Sequence, residues 1–238
     1  MSAAEKIRRA QLRRFEARQV LHAHLATRRK RDQLVWSSAA LVAVIVSSLA
    51  LWGYTTIGPG APPSAPDASL SENRQWSGEM VFDAATLEIT LAGDLAPKAV
   101  ANFVSLANEG FYEGLGCHRL TTEGLYVMQC GDPLGAGLGG PGYFFGPVEN
   151  DPSDRTYPEG AIAMARGAGD GNSMGSQFFV VYEESVIPPD AAGGYTIMGH
   201  ITGGLEDFIE AYVLDGTADD STDGPPATAP TMQSITIR

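Results

Sequence analysis

The chain has 238 residues, room for one or two domains and a sizeable core, with 44% hydrophobic and 18% charged residues. Its net charge of −12 hides two opposed parts: residues 1–33 hold ten Lys/Arg against three acids, and the remaining six basic and twenty-five acidic residues leave −19. That acidic remainder excludes nucleic-acid binding there, because phosphates are repelled, and two cysteines make neither a disulfide framework nor a zinc site.

Residues 3–31 read as a helix, rich in Ala, Gln, Leu, Arg and Glu with no Gly or Pro, and closed by Arg28-Arg29-Lys30-Arg31. Its apolar positions Ile7, Leu12, Phe15, Val20, Leu21 and Leu25 form only a broken stripe. A basic helix can bind nucleic acid or a lipid surface; an orientation signal for membrane insertion is the simpler reading. His22 and His24, two apart, do not share a helix face, so they form no metal pair.

Leu34 to Ile57 contains 24 uncharged, mostly apolar residues. At about 1.5 Å per residue they span roughly 36 Å, against a hydrocarbon core of about 30 Å. Trp36 near one end and Trp52 and Tyr54 near the other sit where interfacial aromatics belong. A cleavable signal peptide has a short head and an apolar run of about 7–15 residues, which this is not. The reading is a single-pass anchor in the cell membrane with a cytoplasmic N-terminus.

Residues 58–78, with Pro59, Pro62, Pro63 and Pro66, read as an extended tether. The folded part is then expected over 79–238, giving a basic helix 1–33, a membrane helix 34–57, a linker 58–78 and one further domain. Strands are expected at 80–82, 87–91, 160–165, 176–182, 195–199 and 233–237. Helices are expected from Pro97, a favoured first-turn residue, to Gly110, and over 205–215, with Val100, Phe103, Val104 and Ala107 as the apolar face of the first. Gly131 to Gly142 lacks both the Lys-Ser/Thr ending of a P-loop and the strand–turn–helix setting of a dinucleotide fingerprint, so it reads as a surface loop. Residues 219–231 read as an acidic, Pro-containing loop. Many short strands with two separate helices leave sandwich and barrel equally open.

Cys117-His118-Arg119-Leu120 and Tyr126-Val127-Met128-Gln129-Cys130-Gly131-Asp132 flank a Gly-containing turn and read as a hairpin. If Arg119 faces Gln129, alternation puts Cys117 and Val127 on that same face and Cys130 on the other. Free thiols follow, unless a bulge changes the register. A lone strand arginine is ordinarily a solvated surface residue.

The segments His118-Arg119, Tyr126 to Asp132 and Gly175-Ser176-Gln177-Phe178-Phe179 together resemble the cyclophilin-type peptidyl-prolyl cis-trans isomerases, over about residues 86–238. The resemblance implies a mainly β fold, a closed eight-stranded antiparallel barrel with two helices, and an enzyme that accelerates X-Pro isomerisation; with the membrane anchor, it would act during folding of extracytoplasmic proteins. It implies no cofactor and no metal. It places the stabilising donor on Arg119 and gives Gln129 the role of orienting it. Tyr126, Val127, Phe179 and Tyr195 would line the proline pocket, with Ile187 as the aliphatic wall. Ala165 and Arg166 would pair with the substrate backbone, Arg166 standing where the family has an asparagine. Gln177 would shape the adjoining groove. Partners would be Pro-containing polypeptides and the cytoplasmic membrane. The tryptophan that contacts ciclosporin has no counterpart, so weak ciclosporin binding is expected. Two other readings stand beside the enzyme: a non-catalytic cyclophilin-like module holding Pro-containing segments, and a function carried by the basic N-terminal helix.

Overall fold

A computed structural model describes residues 3–238; the side chains of residues 3–13, 17 and 23 lie outside the description, and with them Ile7 and Leu12 of the broken stripe. The chain forms two compact units, Met1–Pro62 and Pro63–Arg238.

The first unit is one helix, α1 (Ala3–Thr56). The two helical stretches read from the sequence run together, because nothing between them breaks the backbone: Gly53 is the first glycine, and the first proline comes at position 59. Leu34, Val35, Trp36, Leu41, Val42, Ile45, Leu49 and Trp52 all point outward. Among the described residues this is the one helix long and apolar enough to cross a membrane, by length and composition.

The second unit begins with a 3-10 turn, Ala68–Ser71, whose Asp67 accepts from the Ser69 amide at 2.8 Å. In chain order follow β1 (Gln75–Phe82), β2 (Thr86–Ala92), α2 (Pro97–Asn108), β3 (Cys117–Glu123), β4 (Leu125–Cys130), β5 (Thr156–Tyr157) and β6 (Ala161–Met164). Then come β7 (Phe178–Val181), β8 (Ser185–Val186), β9 (Ile197–Gly203), α3 (Leu205–Tyr212), β10 (Asp223–Gly224) and β11 (Met232–Ile237). Residues 63–78, read as tether, thus carry the 3-10 turn and the first half of β1. Trp76 explains the difference: its indole donates to the Ser71 carbonyl at 2.8 Å, it packs on the core, and Arg74 stacks on its ring at 3.6 Å.

Nine strands form one antiparallel sheet in the order β10-β3-β4-β7-β6-β9-β2-β1-β11, with β5 and β8 paired separately. The expectation of a mainly β fold with two helices holds for this unit, and the sheet curls. The ladder counts nine strands, and β10, assigned to a loop, is the edge beside β3. At the seam the Gly114 amide donates to the Met232 carbonyl, Met232 to Leu115 and Cys117 to Pro230.

Alternation along the strands sorts the side chains into two cores. Met128, Cys130, Ile162, Met164, Phe178 and Val180 face the main core with α2 and α3, where Phe103, Tyr112, Phe208 and Tyr212 are fully buried. Val127, Ala161, Ala163, Phe179 and Val181 face the other side and form a second, smaller cluster with Tyr157 and Ile197. α2 has no side-chain cap of its own; Glu149 instead accepts from the amides of Lys98 at 3.0 Å and Ala99 at 3.2 Å. A carboxylate there satisfies orphan donors and suits the helix dipole.

Candidate active site

Register builds the site. Arg119 pairs with Gln129 across β3–β4, Gln129 with Phe179 across β4–β7, Phe179 with Ala163 across β7–β6, and Ala163 with Ile197 across β6–β9. Residues directly opposite one another share a face, so five strands deliver one row of side chains onto the smaller cluster's side of the sheet. The Arg119–Gln129 pairing is the one the hairpin reading assumed.

The cysteines depart from that reading. A bulge between Cys117 and Arg119 inserts one residue, so Cys117 faces Cys130 instead of lying opposite in parity. The two thiols are joined in a disulfide, both buried in the main core. Free thiols on opposite faces are therefore corrected, by the exception the bulge provides.

Beside the row lies a cavity of about 100 Å³, lined by Arg119, Leu125, Val127, Gln129, Ala165, Arg166, Phe179, Ile187 and Tyr195. Phe179 and Tyr195 meet edge to face at 5.6 Å, and the Tyr157 hydroxyl accepts from the Tyr195 amide at 2.6 Å, fixing that wall. A second hollow of about 270 Å³ adjoins it, sharing Gln129, Ala165 and Arg166 and running past Gln177 to Gly139 and Phe144. Nine of the ten expected site residues thus lie along this cavity or its adjoining groove.

Tyr126 does not. It packs on the main core and opens, with Thr122 and Tyr182, onto the other face of the hairpin. Tyr126 and Val127 are neighbours on one strand, and neighbours point to opposite faces. Leu125, two residues before Val127 and four before Gln129, takes the place expected of Tyr126.

Polar groups cross the cavity in a chain. Arg119 Nη1 donates to Gln129 Oε1 at 3.3 Å, Gln129 Nε2 to Gln177 Oε1 at 2.8 Å, and Gln177 Nε2 to the Gly139 carbonyl at 2.9 Å. On its other edge Arg119 is held by Asp223, Nε to Oδ1 at 2.6 Å and Nη2 to Oδ2 at 2.8 Å. Hydrogen bonding to Asp223 raises the guanidinium's pKa, so the group is cationic at any working pH. The same hydrogen bond holds the Asp223 carboxyl below its usual range.

Arg166 is a different arginine. Its side chain is 0% exposed, against 39% for Arg119. It donates to the carbonyls of Gly167, Gly193 and Gly194 and to both oxygens of Asp190, and it lies over the Tyr195 ring at 4.5 Å. Every donor of the fork is engaged, so the group ties down the loop that joins Ile187 to Tyr195. Arg166 holds Asp190 strongly ionised, with the Gly169 and Ala192 amides adding to it. Ala165 donates its amide to the Gln177 carbonyl at 2.9 Å, so that group of the expected peptide-binding edge is already engaged.

Sequence reasoning missed Leu125, the side-chain role of Arg166, and Asp223. Parity with Gln129 would have found the first. Asp223 lies 104 residues from Arg119, and no spacing connects them.

Residues 79–237 match the family model of the cyclophilin type peptidyl-prolyl cis-trans isomerase/CLD. The chain belongs to that family. As a cyclophilin-type enzyme it is a peptidyl-prolyl cis-trans isomerase. It is 36% identical over 216 residues to the probable peptidyl-prolyl cis-trans isomerase B of Mycobacterium tuberculosis, covering 75% of this chain and 68% of that protein. It is 43% identical over 127 residues to peptidyl-prolyl cis-trans isomerase B of Bacillus subtilis, covering 53% and 83%. A cyclophilin-type isomerase of Cryptosporidium parvum, solved in the presence of the dipeptide Ala-Pro, superposes with a TM-score of 0.57 at 27% identity, covering 68% of this chain and 98% of that one.

Proposed function

We propose that Arg119 is the catalytic donor of this cyclophilin and that its clients are Pro-containing polypeptides outside the cytoplasmic membrane. Rotation about an X-Pro bond is slow because amide resonance sets a barrier of roughly 18–20 kcal/mol. No bond breaks, so the site needs neither nucleophile nor cofactor; it must bind the twisted amide better than either planar form. Twisting makes the proline nitrogen pyramidal and basic, and a fixed guanidinium proton aimed there stabilises it. The observation that carries this reading is Arg119 on the rim of a cavity walled by Leu125, Val127, Phe179, Ile187 and Tyr195, held from both sides by Gln129 and Asp223. Leu125, Val127, Phe179, Ile187 and Tyr195 would take the proline ring, and Gln177 the groove beside it. The hydrogen bonds between residues 114–117 and 230–232 support reading the curled sheet as a barrel closed at that seam.

The full chain in detergent is expected to accelerate isomerisation of a Pro-containing peptide. Binding without acceleration would leave the non-catalytic module standing. In the same assay ciclosporin is expected to inhibit only weakly, since the tryptophans Trp36, Trp52 and Trp76 all precede the matched region. Submicromolar inhibition would contradict the pocket assignment.

Residues 1–33 carry a surplus of seven positive charges, which resist translocation, so residues 1–31 are placed in the cytoplasm and 58–238 outside. Protease added to cells with permeabilised walls should remove the isomerase unit and spare the N-terminal segment. A protected isomerase unit would end the extracytoplasmic assignment.

A further inference from the structure

We propose that Asp223 is a positioning residue for catalysis, fixing the Arg119 guanidinium in the orientation that the twisted X-Pro bond requires. This rests on the reading of Arg119 as the donor. Three observations support it. First, the contact is bidentate along the Nε–Nη2 edge, and such a fork fixes the plane of the guanidinium as well as its distance. With Gln129 on Nη1, one proton remains on each of Nη1 and Nη2 for a substrate. Second, the carboxylate is itself held. Asp223 and Gly224 pair as β10 with Thr121 and Leu120, and the Thr122 amide donates to the Thr222 carbonyl at 3.0 Å. The loop before it is pinned by Thr217 on the Ser221 carbonyl and by Ser221 on Asp219. Third, the pair is half exposed, at 39% and 54%, and exposed ion pairs add little to stability. Its geometry therefore bears on the cavity more than on the fold.

A paired arginine projects a weaker field than a bare one, and this separates positioning from restraint. Isomerisation develops no net charge: the twisted nitrogen is a better hydrogen-bond acceptor but remains neutral. Direction then matters more than field, and a guanidinium swinging on a long side chain loses more than it gains. The acidic loop 219–224 acquires a role as the outer jaw that holds Arg119 against Gln129.

The test uses the full chain in detergent with a Pro-containing peptide. Asp223→Asn keeps the shape but offers one acceptor in place of two. It is expected to lower kcat about 10- to 100-fold, the scale of a small misplacement of a catalytic group, with KM changed less than about twofold. Asp223→Glu should restore part of the loss. In an Arg119→Ala background Asp223→Asn should cost nothing further, since residues acting through one group are non-additive. An unchanged or raised kcat in Asp223→Asn, a loss confined to KM, a loss that follows the unfolded fraction, or additivity with Arg119→Ala would each overturn the proposal. If Arg119→Ala itself leaves kcat intact, the donor assignment falls first; if Arg119→Ala is impaired and Asp223→Asn is not, only the positioning role falls.

Discussion

Arg119→Ala is expected to leave a folded protein that binds Pro-containing peptides but turns them over about 100- to 1000-fold more slowly, the loss of roughly 2.7–4 kcal/mol that follows removal of one preorganised donor. The loss should fall on kcat, because a hydrogen bond to the proline nitrogen strengthens only as the amide twists. Folding should change little: the side chain is 39% exposed and its ionic partner lies at the surface. Arg119→Lys separates charge from shape. Lysine keeps the cation but cannot span both oxygens of Asp223 while reaching Gln129, so a substantial loss is expected there too. Single-turnover and steady-state measurements on both variants, with circular dichroism as the folding control, decide the matter. Near-normal turnover by well-folded Arg119→Ala would transfer the function to peptide holding.

Starting the chain at residue 79 should damage the enzyme far more than starting it at residue 63. A start at 79 removes the 3-10 turn packed on α2, the Trp76 contact, and the pairing of Gln75, Trp76, Ser77 and Gly78 with Ala92, Leu91, Thr90 and Ile89. It also deletes the Ser77–Arg238 bonds that anchor the end of β11. Trp76 is partly buried, so its loss alone costs less than the roughly 3–5 kcal/mol of a fully buried tryptophan, but it adds to the lost turn and ladder against the roughly 5–15 kcal/mol that holds a domain together. A drop in Tm of about 10 °C or more is expected, with precipitation at 37 °C. Equal Tm values for the two fragments would show that residues 63–78 are the tether their prolines suggested.

What the sequence disclosed and what it hid divide along physical lines. Local features were legible: α2 begins at Pro97 and stops just before Gly110, and the hairpin pairs Arg119 with Gln129. Gln177 and Phe179 of the family motifs, and Tyr195 outside them, lie along the cavity or its adjoining groove. Errors came where one residue changes parity. The bulge at Cys117 reversed the prediction for the thiols, and Tyr126 was assigned to the pocket although strand alternation gives that place to Leu125. Composition misled at residues 63–78, where mostly polar and small residues and two prolines surround one anchoring indole. The contact of Asp223 with Arg119 had no local signature at all. It exists because β10 joins the sheet edge, and only the topology brings the two together.

The row from Arg119 to Ile197 has a consequence for how this enzyme can diversify. Its five members come from five strands, each contributing at a fixed beat of two residues. Gaining or losing one residue inside any of those strands would turn its member to the far side unless a bulge absorbed the change, as one does between Cys117 and Arg119. The segments 133–142 and 187–194 obey no such beat. Lineages descended from a chain like this one can therefore vary their rims, and with them the range of sequences they accept around proline, only between the fixed points that Arg166 sets at Asp190, Gly193 and Gly194 and Gln177 sets at Gly139, while the five strands keep their register.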